Sequence, residues 1–444
     1  MSALARLLLQ RGCAVSGSSD RATPLTARLQ AEGATIAIGH RARNVDGART
    51  VVVSSAIAPD NPEVVAARER GIEVVRRGAL LAHLMQARRG IAIAGTHGKT
   101  TTTAMLAAVL ESGGLDPTVV VGGERIDTAS NAHDGNGEWF VAESDESDGS
   151  FLELRPEIGV VTNVENDHVA SEEEFGRMRA SFATFLSNVP ANGLALVGID
   201  EPQGAALARL SRASRTRTFG LSAAADIRAR DVSFAGFGSH STIVGAAGEL
   251  GELLLCVPGE MNVRNALPAV AVSLELGLRF EEIAQALAAF GGVRRRFEIV
   301  ARTPRMTIVD DYAHHPTAVA ATIAAARGGF AGPIVVAFQP HRYSRTSYLA
   351  ADFARALHGA DRVLLTGVYA ASERPIDGVD ARSIGEPLRA LGTEVEYVDD
   401  VEALPESLLA CAPEGALVLF LGAGSITSGA AALARELERR AVAR

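Results

Sequence analysis

Ile91-Ala92-Ile93-Ala94-Gly95-Thr96-His97-Gly98-Lys99-Thr100-Thr101 is the run on which the fold of this chain turns. The apolar residues 91–94 read as a buried strand, the glycines at 95 and 98 as a tight turn, and Thr100–Leu110 as a helix. A strand, a glycine loop and a helix N-terminus in that order make a phosphate cradle, because backbone N–H groups and the helix end face the anion. Lys99 then reaches the β/γ oxygens and Thr100 a magnesium ion. The spacing is Gly-x-x-Gly-Lys-Thr, a variant of the commoner longer loop. The competing reading is an ordinary glycine-rich turn, and Lys99 argues against it. Lysine and arginine together number 43, and Lys99 is the only lysine among them. In a chain that otherwise uses arginine, a lone lysine marks a place where a compact ammonium fits and a planar guanidinium does not.

Working outward, 444 residues are more than one hydrophobic core normally spans. Three α/β domains in series are expected: residues 1–88, 89–293 and 294–444. In the first, Ala14–Ser16, Thr35–Ile38, Val51–Val53 and Ile72–Val75 read as strands, with helices near Pro24–Glu32 and Asn61–Arg70. That alternation predicts a parallel sheet with crossover helices. The chain opens inside a helix, so this Rossmann-like domain is expected to lack its first strand and glycine-rich turn. In the second domain Ile91–Ala94, Trp139–Ala142, Ile158–Thr162 and Leu194–Ile199 read as a mainly parallel sheet. In the third, Met306–Val309, Ile334–Phe338, Arg362–Thr366 and Leu417–Leu421 alternate with helices near Pro316–Arg327 and Ser344–His358, again Rossmann-like.

The formal net charge of −9 argues against a protein held to nucleic acid by phosphate contacts. No apolar run reaches the roughly 18 residues of a membrane span. The cysteines Cys13, Cys256 and Cys411 are too scattered for a metal site and fit a reduced, cytoplasmic protein.

Charged clusters follow the strands. Trp139–Ala142 runs into Glu143-Ser144-Asp145-Glu146-Ser147-Asp148, where Glu143 stands at the strand end, the place of a metal ligand beside a phosphate loop. Glu146 and Asp148 lie in the loop beyond; taken alone, the run would be a solvated acidic loop. Ile158–Thr162 leads to Asn163-Val164-Glu165-Asn166-Asp167-His168, which offers His168 to the metal or phosphate site, with Asp167 able to orient its ring. Two clusters belong to the third domain: Asp310-Asp311-Tyr312-Ala313-His314-His315-Pro316, and Gln339-Pro340-His341-Arg342-Tyr343-Ser344-Arg345. Both fall past strand ends, where an open parallel sheet gathers ligand groups. Arg342 and Arg345 suit forked hydrogen bonds to a carboxylate or phosphate, or form a solvated pair. Arg294-Arg295-Arg296 reads either as a solvated hinge or as a phosphate contact.

In this order, AGTHGKTTTT, AESDESDGSFL, VTNVENDH, VRRRFE, DDYAHHPT and FQPHRYSRT resemble the motifs of the Mur ligases, across essentially the whole chain. The match is nearest to the alanine-adding branch of that family. The resemblance implies a uridine-nucleotide domain, a central ATPase domain and a C-terminal domain that closes over an amino acid. It implies that ATP and Mg²⁺ are used to join L-alanine to the lactyl carboxylate of UDP-N-acetylmuramate through an acyl phosphate, in a monomer or weak homodimer. Carried onto this chain, it implies that Gly95, Thr96, His97, Gly98, Lys99, Thr100 and Thr101 hold the ATP phosphates. Thr100, Glu143 and His168 fall at metal positions, and Asn265, Arg296 and Asp311 at nucleotide-contacting ones. Tyr312, His314, His341, Arg342 and Arg345 belong to the alanine and sugar-nucleotide side. Lys99, Glu143, His168, His314, Arg342 and Arg345 are the residues expected to matter most to catalysis.

Three departures from the family pattern stand out. The family's opening strand and turn run into Met-Ser-x-Leu-Ala, which here is Met1-Ser2-Ala3-Leu4-Ala5. Met261 stands where histidine is usual, and Ser425 where aspartate is usual. Some relatives carry a carbamylated lysine near the metals, and this chain has no second lysine for it. The competing readings are a recycling ligase that attaches a whole peptide to the same sugar nucleotide, a nucleotide-driven switch or transport ATPase, and a binding-only pseudoenzyme. Asp148-Gly149-Ser150-Phe151 favours the alanine-adding branch over the first; the arginine-rich third domain disfavours the second.

Overall fold

The computed structural model describes residues 1–146, 148–166, 172–211, 213 and 215–442. By its contacts the chain divides into two compact units. One comprises Met1–Arg230, Ile243–Gly251 and Arg264–Leu287; the other comprises Asp231–Thr242, Glu252–Val263 and Ala288–Arg444.

The first unit opens on the helix Ser2–Gln10, which buries Ala3, Leu4 and Leu7 along one face, with Arg6 beside them. The strands that follow differ from the single sheet expected. They form two separate parallel pairs, Ser16–Ser19 with Thr35–Ile38 and Thr50–Val53 with Glu73–Arg76. Each pair is closed by its own crossover helix, Pro24–Ala31 or Pro62–Glu69, and a 3-10 turn at Ala42–Val45 carries the chain from one pair to the other. Local chemistry starts both helices. Proline occupies the first turn of each, Thr23 accepts the Thr26 amide in a capping box, and Asn61 accepts the Glu63 amide.

A mainly parallel sheet forms the body of this unit. Its centre is the strand Arg89–Ala94, flanked in parallel by Trp139–Glu143 and Ile158–Val161. Leu194–Gly198 and Thr216–Gly220 extend it in parallel on one side, and Thr118–Val120 on the other, with the short antiparallel Ala132–His133 at the edge. The strands Ile227–Ala235, Gly238–Gly245 and Gly248–Leu255 follow in sequence. One hydrophobic core runs under the sheet. It holds Leu4, Leu7, Leu81 and Met85 from the first 88 residues together with Phe140, Phe151, Phe182 and Phe185. The step at residue 88 is therefore a change of topology inside continuous packing. Gly78 is required there, because a Cβ would run into Ser150, against which the helix Arg77–Met85 packs.

The second unit is built on a six-stranded sheet in the order Glu298–Arg302, Met306–Asp311, Ala416–Leu421, Ile334–Phe338, Arg362–Leu365, Glu394–Tyr397. The first two strands are antiparallel and the remaining neighbours parallel. Ala416–Leu421 (ALVLFL) and Ile334–Phe338 (IVVAF) are buried throughout, as strands covered on both faces must be. Val319, Ile323, Phe353, Leu357, Ile384 and Leu388 bring three helices onto one face, Pro316–Gly329, Tyr343–Leu357 and Arg382–Ala390. Leu404, Leu408, Ile426, Ala430 and Leu433 bring Leu404–Cys411 and Ile426–Val442 onto the other. The neighbours Ile334–Phe338 and Ala416–Leu421 thus send their following helices to opposite faces, which opens a crevice past their carboxyl ends. Among the described residues no helix is long and apolar enough to cross a membrane.

Candidate functional site

The central strand of the first unit ends at Ala94, and the loop 95–98 leads into a helix that spans Lys99–Ser112, one residue earlier than expected. Gly95 and Gly98 adopt φ of +132° and +80°, which L side chains rarely reach. Both are also crowded: a Cβ on Gly95 would strike Thr162 Oγ1, and one on Gly98 would strike Asn265 Oδ1. Asn265 is thereby placed beside the loop. Thr102 ties it further, its hydroxyl donating to the Asn265 carbonyl at 3.2 Å. Gly98→Ala should weaken nucleotide binding at least about tenfold, since it both strains the loop and displaces Asn265. Calorimetric titration with a non-hydrolysable ATP analogue checks this.

Neighbouring strand ends hold the loop in shape. The His97 amide donates to Asn163 Oδ1 at 2.8 Å, Asn163 Nδ2 donates to the His97 carbonyl at 3.1 Å, and Thr162 Oγ1 donates to the same carbonyl at 2.6 Å. The Glu165 amide donates to Thr96 Oγ1 at 2.9 Å, and the Glu165 carboxylate stands 3.4 Å from His97 Nε2. Thr162 and Asn163 lie in a motif whose sequence singled out only Asp167 and His168. Their signal was present: polar residues directly after a buried strand next to the loop. His168 and Asp167 lie outside the described residues.

Lys99 Nζ donates to the Gly95 carbonyl at 2.5 Å, to the Thr96 carbonyl at 3.1 Å and to Glu146 Oε1 at 3.0 Å. Thr100 Oγ1 donates to Glu143 Oε1 at 2.9 Å. Glu143 is the last residue of its strand, in register with Ile93, and its Oε2 accepts the Gly122 amide at 2.6 Å. A hydroxyl and a carboxylate in contact at the start of a phosphate-loop helix are the oxygen donors that Mg²⁺ takes. Gly122, a brace for that carboxylate, was not foreseen. Burial drives the Glu146 carboxyl upward from the usual range, with the Lys99 charge opposing it.

In the second unit the strand Met306–Asp311 runs two residues further than expected, so Asp310 and Asp311 are strand residues. Asp311 is buried and accepts the Phe297 amide through Oδ2 and the Ala313 amide through Oδ1, both at 2.7 Å. Burial pushes its carboxyl up and Arg296 opposes the rise. Asp310 is pushed up to about 6, chiefly by burial, with Thr427 and Arg295 opposing. Past the strand, the Tyr312 ring lies 4.9 Å from the Arg295 guanidinium and 5.0 Å from that of Arg296. An aromatic column continues from Tyr312 to His314 at 4.9 Å, to His341 at 5.6 Å and to Tyr369 at 5.6 Å, the last pair stacked at 13°. The structure thus brings Tyr312, His314, His341 and Arg296 together. Arg345 joins them, buried, with Nη1 3.5 Å from the His314 carbonyl. Arg342 is exposed and holds φ of +70° and ψ of 138°, a strained conformation of the kind that persists at functional loops.

Tyr369 comes from a different strand end and was missed, and Gln339, the first residue of the cluster 339–345, was not given a partner. The latter donates from Nε2 to Ser425 Oγ at 3.1 Å and accepts the Ile426 amide at the same distance. Ser425 thus meets Gln339 as an acceptor, a part that aspartate would also fill. Met261 is partly buried against the apolar core of this unit, where a thioether packs better than an imidazole.

A phosphate loop with its lysine and a hydroxyl–carboxylate pair, on a mainly parallel sheet, defines a nucleoside-triphosphate-using α/β protein, and the second unit adds a Rossmann-like sheet with an arginine- and histidine-rich crevice. Family models match along the chain: "Mur ligase family, catalytic domain" over residues 1–89, "Mur ligase middle domain" over 93–273, and "Mur ligase, glutamate ligase domain" over 295–424. Proteins named UDP-N-acetylmuramate–L-alanine ligase are similar at full length. The one from Geotalea uraniireducens is 46% identical over 96% of this chain and 93% of its own. That of Acidithiobacillus ferrooxidans is 48% identical over 97% and 94%. The crystal structure of UDP-N-acetylmuramate–alanine ligase from Thermotoga maritima superposes with a TM-score of 0.86 at 31% identity, covering 100% of this chain and 97% of that one. A murein peptide ligase from Psychrobacter arcticus shares the fold, with a TM-score of 0.73 at 24% identity and coverage of 98% and 95%. The chain belongs to the Mur ligase family.

Proposed function

We propose that this chain ligates L-alanine to the lactyl carboxylate of UDP-N-acetylmuramate, cleaving ATP to ADP and phosphate, in the cytoplasmic synthesis of peptidoglycan precursors. The observation that carries the reading is the single lysine of the chain, set in a phosphate loop beside the Thr100–Glu143 pair, in a sequence similar to alanine ligases over nearly its whole length.

The chemistry follows from the charges involved. A lactyl carboxylate oxygen attacks the γ-phosphorus of ATP, the bond from that phosphorus to the ADP oxygen breaks, and an acyl phosphate forms. The alanine amine then attacks the acyl carbon, loses a proton, and the carbon–oxygen bond to phosphate breaks. In the first step several negative oxygens approach one another, so stabilisation of charge and alignment dominate. Backbone amides of residues 98–100, at the N-terminus of the helix Lys99–Ser112, face the phosphates, and Lys99 Nζ serves the β/γ oxygens. Thr100 and Glu143 would hold Mg²⁺, which supplies further neutralisation of those oxygens, with His168 the expected additional ligand. Asn265 contacts the adenine side. Arg296 serves the nucleotide, and Asp311 holds the turn from which Tyr312 and His314 project. Arg342 and Arg345 hold carboxylate or phosphate oxygens of the substrates by forked hydrogen bonds, and Tyr312, His314 and His341 line the alanine side.

Phosphate release in the presence of ATP, Mg²⁺ and UDP-N-acetylmuramate should depend on L-alanine and yield UDP-N-acetylmuramoyl-L-alanine by mass spectrometry. Turnover only with a peptide that begins in L-alanine would move the chain to the recycling ligases. Phosphate release that ignores every acceptor would move it to the ATPases.

A further inference from the structure

The Lys99 ammonium has three protons to donate, and three acceptors take them: the carbonyls of Gly95 and Thr96 and the carboxylate of Glu146. Two of these belong to the loop that Lys99 closes. The third comes from outside it, three residues beyond the strand Trp139–Glu143. Glu146 is committed to the contact: its side chain is 9% exposed, against 15% for that of Lys99. Oε1 takes the hydrogen bond at 3.0 Å. Oε2 stands 2.9 Å from the same nitrogen as a charge contact without a directed bond. A phosphate oxygen that accepts from Nζ must displace one of the three acceptors. The carbonyls move only if the loop itself deforms, and its glycines and the Thr162 and Asn163 bonds hold it. The carboxylate sits on a separate segment and is repelled by an arriving phosphate.

We infer that Glu146 competes with the β- and γ-phosphates of the nucleotide for Lys99 and leaves the ammonium when the nucleotide binds. The inference rests on the reading of residues 95–100 as the ATP phosphate loop and deepens it. Glu146 keeps a nearly buried ammonium paired, which an unpartnered charge in that position would require. The contact sets a threshold: only a ligand whose phosphates reach Nζ and outweigh the carboxylate takes the lysine. Nucleotide affinity is lower than the loop alone would give, and both ATP and ADP are affected.

The test is equilibrium titration of the full chain, in Mg²⁺, with a non-hydrolysable ATP analogue and with ADP. Glu146→Gln keeps the size of the side chain and removes its charge. It should bind both nucleotides about tenfold more tightly than the parent, a ratio equivalent to ~1.4 kcal/mol. Glu146→Asp, one methylene shorter, should tighten both in the same direction, and serves if the glutamine variant folds poorly. Unchanged or weaker binding in both variants would overturn the inference and make Glu146 an aid to nucleotide binding. A parent chain that binds neither nucleotide would overturn the ATP-site reading itself.

Discussion

Lys99→Arg should abolish ligation, lowering alanine-dependent phosphate release at saturating ATP by at least about 10³-fold, the scale of losing a principal charge-stabilising donor. Net charge is conserved in this variant, so the effect isolates shape. The ammonium sits within hydrogen-bond distance of the Gly95 and Thr96 carbonyls and of Glu146, in a pocket closed by the loop's own backbone. A guanidinium is longer, planar and fixed in its donor directions, and it cannot place one point charge among three converging acceptors. No other lysine in the chain can substitute. Turnover near that of the parent would show that residues 95–100 are not the catalytic phosphate loop.

Glu143→Gln should raise the Mg²⁺ concentration needed for half-maximal turnover by at least about tenfold, at the low end of what disturbing a metal site costs. Both oxygens of Glu143 are engaged, one by the Thr100 hydroxyl and the other by the Gly122 amide. An amide in its place loses the negative charge and turns an N–H group toward one of those donors, so the side chain must rotate away from its position. Glu146→Gln is the paired control. Its carboxylate meets Lys99 and not the Thr100 hydroxyl, so its Mg²⁺ midpoint should move much less. A larger shift for Glu146→Gln than for Glu143→Gln in a Mg²⁺ titration of phosphate release would show that the metal belongs to the other carboxylate.

Much of the candidate phosphate site was legible because it is local. Gly95, Gly98, Lys99 and Thr100 lie within six residues, and the turn, the helix start and the anion cradle are properties of that segment. Glu143 was legible for a related reason: a parallel sheet places the ends of adjacent strands side by side, so a carboxylate closing the next strand falls near the loop. The clusters at 310–316 and 339–345 followed the same rule. The braces were harder. Thr162 and Asn163 stood in plain view, but the polar run after a strand does not say which of its members turns toward the loop. Gly122 and Tyr369 carry no local mark at all, and Gln339 was legible only as the first member of its cluster. A glycine amide and a tyrosine acquire their roles only when a distant strand end is set against them.

The first 88 residues show the same division. Their strands and helices were close to those expected, with proline and a capping threonine or asparagine marking each crossover helix. Their arrangement as two separate parallel pairs was not, because pairing between strands is a long-range choice and the alternation of elements leaves it open. By itself the sequence determined the α/β class, the strand, glycine loop and helix around residues 91–112 and the families of charged residues at the strand ends, all written within a few neighbouring positions. The tertiary structure alone decided that Glu146 meets the Lys99 ammonium. Glu143 and Glu146 are identical in chemistry and three positions apart; the register of the strand Trp139–Glu143 against Arg89–Ala94 sets the first at the hydroxyl, and only the turn beyond delivers the second to the lysine.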